Sequence, residues 1–205
     1  HDLARSFGID VPDAQKGRFG RHGTTFLSKR FDRITGKRVH FSSAMALLGR
    51  QDGACGADGA SYLDLMEFMR EQCARPERDL EELYRRILFS VAVSNTDDHL
   101  RNHGFLLTES GWRRAPAYDV NPNSHGDGRS LNSAEGDNSL DFVLALETAG
   151  FYGVLPSEAE RIVSDTREAV EGNWRPIAES HGLSREAMRR MASAFDMRRK
   201  GRIAP

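Results

Sequence analysis

The stretch Asn95-Thr96-Asp97-Asp98-His99-Leu100-Arg101-Asn102-His103-Gly104-Phe105 decides how this chain is read. Ahead of it runs an apolar stripe at helical spacing, Leu80, Tyr84, Ile87, Leu88 and Val91, continuing to about Val93. Pro76 opens that helix, and the acidic Glu77, Asp79, Glu81 and Glu82 crowd its first turns, where the helix dipole favours them. A helix anchored by such a stripe delivers the polar run from a fixed point, and loops at such junctions often carry chemistry. Behind the run, Phe105-Leu106-Leu107 and Trp112 to Ala115 flank a Ser110-Gly111 turn. This predicts a hairpin whose second arm leads into Pro116-Ala117-Tyr118-Asp119-Val120.

A tight loop followed by a hairpin folds Asp97, Asn102 and Asp119 toward one face. An Asp, an Asn five positions later and a second Asp 22 residues after the first is the spacing used in phosphoryl transfer of the kinase type. The chemistry needs one carboxylate beside the attacking hydroxyl to orient it and take its proton. It also needs an amide oxygen and another carboxylate to hold Mg²⁺ on the nucleotide phosphates. Asp97 is therefore the candidate base, with Asn102 and Asp119 the candidate metal ligands. Spacing alone leaves the plain alternative open, because Asp and Asn are common in loops through local turn hydrogen bonds.

The wider string from Asn95 to Phe105, with Pro116 to Val120, closely resembles the HipA-type toxin kinases, Ser/Thr protein kinases of type II toxin-antitoxin systems. Gly8-Ile9-Asp10-Val11-Pro12 resembles the stretch after that family's first helix, Arg30-Phe31-Asp32-Arg33 the segment joining its two lobes, and Ser61-Tyr62-Leu63-Asp64 is similarly typical. The resemblance covers essentially the whole chain. It implies an α+β, mainly helical fold: residues 1–28 as a remnant of the small β lobe and 29–205 as the large helical lobe. It also implies ATP and Mg²⁺ as cofactors, a protein Ser or Thr as acceptor, and an antitoxin partner, HipB-like, that itself binds operator DNA. In this reading Asp97 is the catalytic Asp, Asn102 and Asp119 hold Mg²⁺, and Lys29, Arg30 and Phe31 form the hinge against adenine. His99 and Arg101 match the family's loop: His99 beside the cofactor or as a hydrogen-bonded structural residue, Arg101 on phosphate or in a loop-bracing salt bridge. Asp98 is expected to be solvated, and His103 and His125 stand isolated.

The kinase pattern also calls for a Gly-rich loop over the phosphates and an upstream strand Lys. Gly53, Gly56 and Gly59 lie downstream of the hinge-like segment, and none of Lys16, Lys29, Lys37 and Lys200 sits in such a strand. The family carries both parts ahead of the helix with which this chain opens, so the chain reads as a C-terminal piece that transfers phosphate poorly by itself.

Two other classes compete. A metal-dependent phosphoesterase would use Asp97, Asp98, His99 and Asp119 on one or two divalent ions. A binding module would use the basic C-terminal run of Arg185, Arg189, Arg190, Arg198, Arg199, Lys200 and Arg202 against DNA or an acidic partner, although such residues also suit a helix C-terminus.

Composition sets the outer bounds. The 205 residues carry 29 Lys and Arg against 30 Asp and Glu, a net charge of -1, so no global basic field points to nucleic acid. With 39% hydrophobic residues and 19 glycines the chain has the apolar content of one globular unit. No run is long enough to span a membrane and no leader segment is visible, so a cytoplasmic protein without membrane contact is expected. Cys55 and Cys73 have no companions at ligand spacing and read as reduced thiols. Elsewhere the sequence predicts a helix ending at Phe7-Gly8, a strand at Thr24 to Ser28, a turn at Thr35-Gly36 and a short helix from Ser43 to Leu48. A helix follows Ser61 with Asp64 as capping box; further helices run over Leu140 to Thr148, after Ser157 with Glu160 as cap, and after Ser184. Asn121 to Asn138 reads as a long loop, functional or mobile.

Overall fold

The computed structural model describes residues 1–21, 23–126 and 128–201. Helices build its mass. The capping box forms as expected: Ser61 accepts from the Asp64 N–H and Asp64 accepts from the Ser61 N–H, starting α3 (Tyr62–Gln72). Pro76 opens α4 (Pro76–Ala92), and the stripe of Leu80, Leu83, Tyr84, Ile87, Leu88 and Val91 is buried against α3 and α6 (Pro156–Ser180). From α3 come Tyr62, Leu65 and Met69; from α6 come Ile162, Val163 and Val170. Each such side chain, fully buried, contributes roughly 1.5–3 kcal/mol. The short α5 (Phe142–Thr148) closes the core with Phe142 and Ala145, and the buried Tyr84 hydroxyl donates to the Ala145 carbonyl at 3.1 Å. α1 (Asp2–Ser6) packs on α6 through the same core, contributing Ala4.

Small antiparallel sheets decorate this lobe. β1 (Ala14–Gly17) pairs with β2 (Thr25–Ser28), and β3 (Arg33–Ile34) with β4 (Lys37–Arg38) around Thr35 and Gly36, both at positive φ. β5 (Phe41–Ser43) runs into α2 (Ala44–Leu47), capped by the Ser43 hydroxyl, and Gly49 at φ 63° follows. β5 joins the hairpin of β6 (Gly104–Thr108) and β7 (Gly111–Arg114) as a three-stranded sheet, with Ser43 opposite Gly104 and Phe105 opposite Arg114. That register matters for the site. The Ala115 N–H donates to the Gly104 carbonyl at 2.9 Å, so the chain leaving β7 runs alongside residues 102–104.

Two expectations are corrected. α6 begins at Pro156 with Leu155 in the cap position, so Ser157 lies inside the first turn rather than capping it; proline at a first helical position needs no N–H partner. α7 (Arg185–Met191) does take Ser184 as its cap. The C-terminal basic run is not one solvated face. Lys200 is 2% exposed, its ammonium donating to the carbonyls of Ala92 and Ala194, and burial pulls its pKa down to about 7. Arg190 pairs with Glu186 and Arg198 with Asp196, and Arg202 lies outside the described residues. The 121–138 segment is a loop, as read, and its described residues are tethered: Leu131, Asn132 and Ser133 are buried, and Asn132 bridges to Ser61. Both cysteines are free thiols.

Candidate functional site

The catalytic-type loop starts where α4 stops. Ser94 takes a left-handed backbone (φ 53°), which turns the chain sharply, and its hydroxyl donates to the Ala194 carbonyl at 3.0 Å. Beyond it Asp97 points outward, its side chain 77% exposed. A single 3-10 turn over Leu100–Asn102 then reverses the chain into β6. Inside that reversal the buried Asn102 amide donates to the Asp97 carbonyl at 2.9 Å and to the Asp119 carbonyl at 3.5 Å. One side chain thus joins the loop to the segment after β7. With both amide hydrogens directed at these carbonyls, the Asn102 Oδ1 remains an acceptor. Asp119 also has a left-handed backbone (φ 54°); it is exposed, and its Oδ1 accepts from Asn121 at 2.8 Å. A second tie lies beside it, the Tyr118 hydroxyl donating to the Arg101 carbonyl at 2.6 Å.

The other expected site residues fall at varying distances from this junction. Phe31 stacks on Tyr118 (centroids 5.7 Å apart, 26° between planes) and leans on Phe41, so the hinge-like segment reaches the residue next to Asp119. Arg30 and Arg33 instead grip the buried Asp32 carboxylate, holding its pKa far below the usual range. Lys29 lies 3.6 Å from Asp13 at the end of the β1–β2 hairpin. His99 Nε2 stands 3.9 Å from Asp97 Oδ1, and its buried Nδ1 has no partner among the described residues. Arg101 forms a salt bridge with Asp52. Between that pair, Asp97 and Cys55 lies a cavity of about 220 Å³.

Asp98 and His103 overturn their expectation. Asp98 is buried, not solvated: its Oδ2 accepts from the Tyr62 hydroxyl at 2.5 Å and from the Ser90 hydroxyl at 3.1 Å. Its Oδ1 lies 3.0 Å from His103 Nε2, so His103 is not isolated. On the far side of the ring, Arg114 donates to His103 Nδ1 at 3.4 Å. A guanidinium has no lone pair to offer, so Nδ1 is the acceptor and the ring proton sits on Nε2, facing the carboxylate. Burial penalises the charged forms of both groups, and it keeps His103 below its ordinary pKa and neutral. For Asp98 the neighbouring ring, the Tyr62 hydroxyl and Arg129 outweigh that penalty and hold the carboxyl below its ordinary range. The clue was present in the sequence. Asp98 and His103 repeat the five-residue spacing of Asp97 and Asn102, one position along. Tyr118 and Phe41 were missed because stacking across a sheet edge leaves no spacing in the chain.

The arrangement is an outward carboxylate, an amide oxygen and a second carboxylate, beside aromatic rings, on a helical lobe. The sequence model of the HipA-like C-terminal domain matches residues 1–174. The chain belongs to that family. A putative kinase, Y4mE, from Sinorhizobium fredii is 29% identical to this HipA-like chain over 126 residues, 58% of this chain and 30% of that protein. The serine/threonine-protein kinase toxin HipA of Shewanella oneidensis is 26% identical over 136 residues, 58% of this chain and 31% of that one. The matched stretches thus span about a third of the length of these curated relatives. In the solved complex of Shewanella oneidensis HipA with HipB and operator DNA, the fold recurs with a TM-score of 0.78 at 17% identity, over 94% of this chain and 51% of that one. The Helicobacter pylori proinflammatory kinase CtkA gives 0.63 at 11% identity, over 96% and 79%. The HipA-like domain thus has an α+β kinase-like fold. No helix among its described residues is long and apolar enough to cross a membrane.

Proposed function

We propose that this chain is the large-lobe part of a protein kinase that moves the γ-phosphate of ATP to a protein Ser or Thr. The observation that carries the reading is the Asn102 side chain, bonded to the carbonyls of both Asp97 and Asp119. It supports a shared site of base and metal ligands, assembled from two separate segments. Asp97 orients the acceptor hydroxyl and takes its proton, and its exposure leaves room for that hydroxyl. Asn102 Oδ1 and the Asp119 carboxylate are hard oxygen donors that suit Mg²⁺, which takes few protein ligands beside phosphate oxygens. Bound there, Mg²⁺ with ATP supplies charge neutralisation on the transferring phosphoryl group. Phe31, with Lys29 and Arg30 flanking it, offers the adenine a face beside Tyr118. His99 stands by the reacting carboxylate, and Arg101 reaches phosphate by releasing Asp52.

The phosphoesterase alternative fits less well, since Asp98 is turned inward onto Tyr62, Ser90 and His103 and cannot share a metal with Asp97. By family likeness we assign a HipB-like antitoxin as partner, operator DNA through it, and a cytoplasmic setting. Without a Gly-rich loop and its Lys, residues 1–205 transfer phosphate poorly alone.

The test is transfer of labelled γ-phosphate by the full-length parent to lysate protein, with and without Mg²⁺, beside Asp97→Asn and Asp119→Asn. Mg²⁺-dependent protein labelling that both substitutions abolish is the expected result. Label released to water would favour the phosphoesterase, and ATP left untouched would favour a binding module. Turnover by the 205-residue chain equal to the parent's would refute the claim that it is insufficient alone.

A further inference from the structure

A second polar cavity, of about 300 Å³, opens between the N-terminal half of α4, β7 and the loop at Gly8 and Asp10; it includes none of Asp97, Asn102 and Asp119. Five arginines line it, Arg78, Arg85 and Arg86 from α4 and Arg113 and Arg114 from β7, together with the carboxylates of Asp10, Asp79, Glu81 and Glu82. Arg114 is 8% exposed, yet no carboxylate lies within ion-pair distance of it among the described residues. Its contacts are the Met69 sulfur at 3.9 Å and His103 Nδ1 at 3.4 Å, and its Nε has no partner. The Nε of Arg113 is likewise buried and unpartnered. Glu82, the acid best placed to help, is committed to Arg86 at 2.9 Å. Buried guanidinium N–H groups that lack an acceptor are costly, so the Nε donors of Arg113 and Arg114 are left for an acceptor that enters the cavity, and an anion supplies one.

Asp79 stands on the same cavity, 4% exposed, with an unpartnered Oδ2. A bare oxyanion would be repelled by it. An oxyanion that still carries a proton would instead donate a hydrogen bond to that oxygen while accepting from the arginines.

We propose that the cavity between α4 and β7 binds a phosphate group that retains a proton, with Arg113 and Arg114 on its anionic oxygens and Asp79 accepting from its P–OH. The site is independent of the kinase reading. It touches the catalytic-type loop through one chain of contacts, Arg114 to His103 to Asp98.

Calorimetric titration of the purified protein at neutral pH tests this with sodium phosphate against sodium sulfate at equal ionic strength. Sulfate matches the hydrogen-phosphate dianion in size and charge and lacks the proton that both phosphate forms present at neutral pH carry. Saturable phosphate binding with sulfate at least about tenfold weaker is expected. Asp79→Asn keeps an oxygen for the Arg114 backbone N–H and turns a donor to the cavity, so sulfate should then equal or exceed phosphate. Arg113→Gln, at a half-buried position, should weaken phosphate by about tenfold or more with the circular dichroism unchanged. O-phosphoserine, run at pH 6 where a monoester keeps its proton about half the time, separates the sources. Tighter binding than inorganic phosphate marks a phosphorylated residue as ligand, and weaker binding marks the free ion. Equal affinity of the unsubstituted protein for phosphate and sulfate, no saturable binding, or phosphate binding indifferent to Arg113→Gln would overturn the proposal.

Discussion

Asp98 and His103 sit one residue along from Asp97 and Asn102 and turn the opposite way, so the loop is tied twice at one spacing, outside by an amide and inside by a carboxylate–imidazole contact. The inner tie is the costlier to break. His103→Leu leaves a buried carboxylate with two hydroxyl partners and should lower stability by about 3 kcal/mol in urea titration, whereas His103→Gln, which can still donate, should cost roughly 1 kcal/mol. A loss from Gln as large as that from Leu would mean that ring packing, not donation, sets the cost. The pair also fixes a pH response. His103 has a folded pKa below its free value of 6.5, so in the window beneath 6.5 the unfolded chain binds a proton that the folded chain refuses. Its contribution is complete above 6.5 and is lost as pH falls toward the folded value, with a slope of at most about 1.4 kcal/mol per pH unit. Stability measured from pH 7 to 5 should therefore decline in the unsubstituted protein and decline less in His103→Gln. Asp98, depressed below its usual 3.8, adds a second loss only under pH 3.8.

At the scale of elements, the 121–138 segment is seated on the end of α4 by close fit as well as hydrogen bonds. Ser130 donates from both its backbone N–H and its hydroxyl to the Thr96 carbonyl at 3.1 Å, and Asn123 reaches the Thr96 hydroxyl at 2.7 Å. Gly126 lies so near Thr96 that an added methyl would overlap that side chain. Gly126→Ala should therefore cost about 1–3 kcal/mol and loosen the residue before Asp97, visible as faster amide exchange over 94–98 with α6 unchanged. An unaltered exchange pattern would mean that the segment merely rests there. This seating also marks where sequence reading stops. The stripe of α4, the box at Ser61 and the hairpin of β6 and β7 were legible because each is a local pattern, although the turn falls on Glu109 and Ser110, one residue earlier than read, with Gly111 opening β7. The joining of Asp97, Asn102 and Asp119 was legible because a short hairpin leaves little freedom. The inward turn of Asp98 was not, since it depends on Tyr62 and Ser90 from two helices whose packing no spacing in the loop reports. The cap of α6 was misplaced for a related reason: Ser157 with Glu160 and Pro156 each mark a helix start, and the proline prevailed.

For the whole molecule, the proposed metal ligands belong to different stretches, Asn102 before β6 and Asp119 after β7, and they meet through the hydrogen bonds of a single amide. Among the described residues no group of three or more His, Cys, Asp or Glu could hold a metal ion, and the proposed Mg²⁺ site rests on two side chains, Asn102 and Asp119. A nucleotide changes this by adding phosphate oxygens and a ring to meet Phe31. Mg²⁺ by itself should leave the melting temperature unchanged, and Mg²⁺ with ATP should raise it. At tenfold excess over Kd the added stability is about 1.4 kcal/mol, which for a chain of this size is about 3–6 °C. Asp119→Asn should remove the rise while keeping the starting melting temperature within about 1 °C, because the exposed carboxylate contributes little to the fold. Ser61→Ala should do the reverse, costing about 1 kcal/mol through the lost cap and leaving the ATP-linked rise intact. If Mg²⁺ alone produced the full rise, the two oxygens would belong to a self-sufficient metal site, and the hydrolytic reading would displace the kinase.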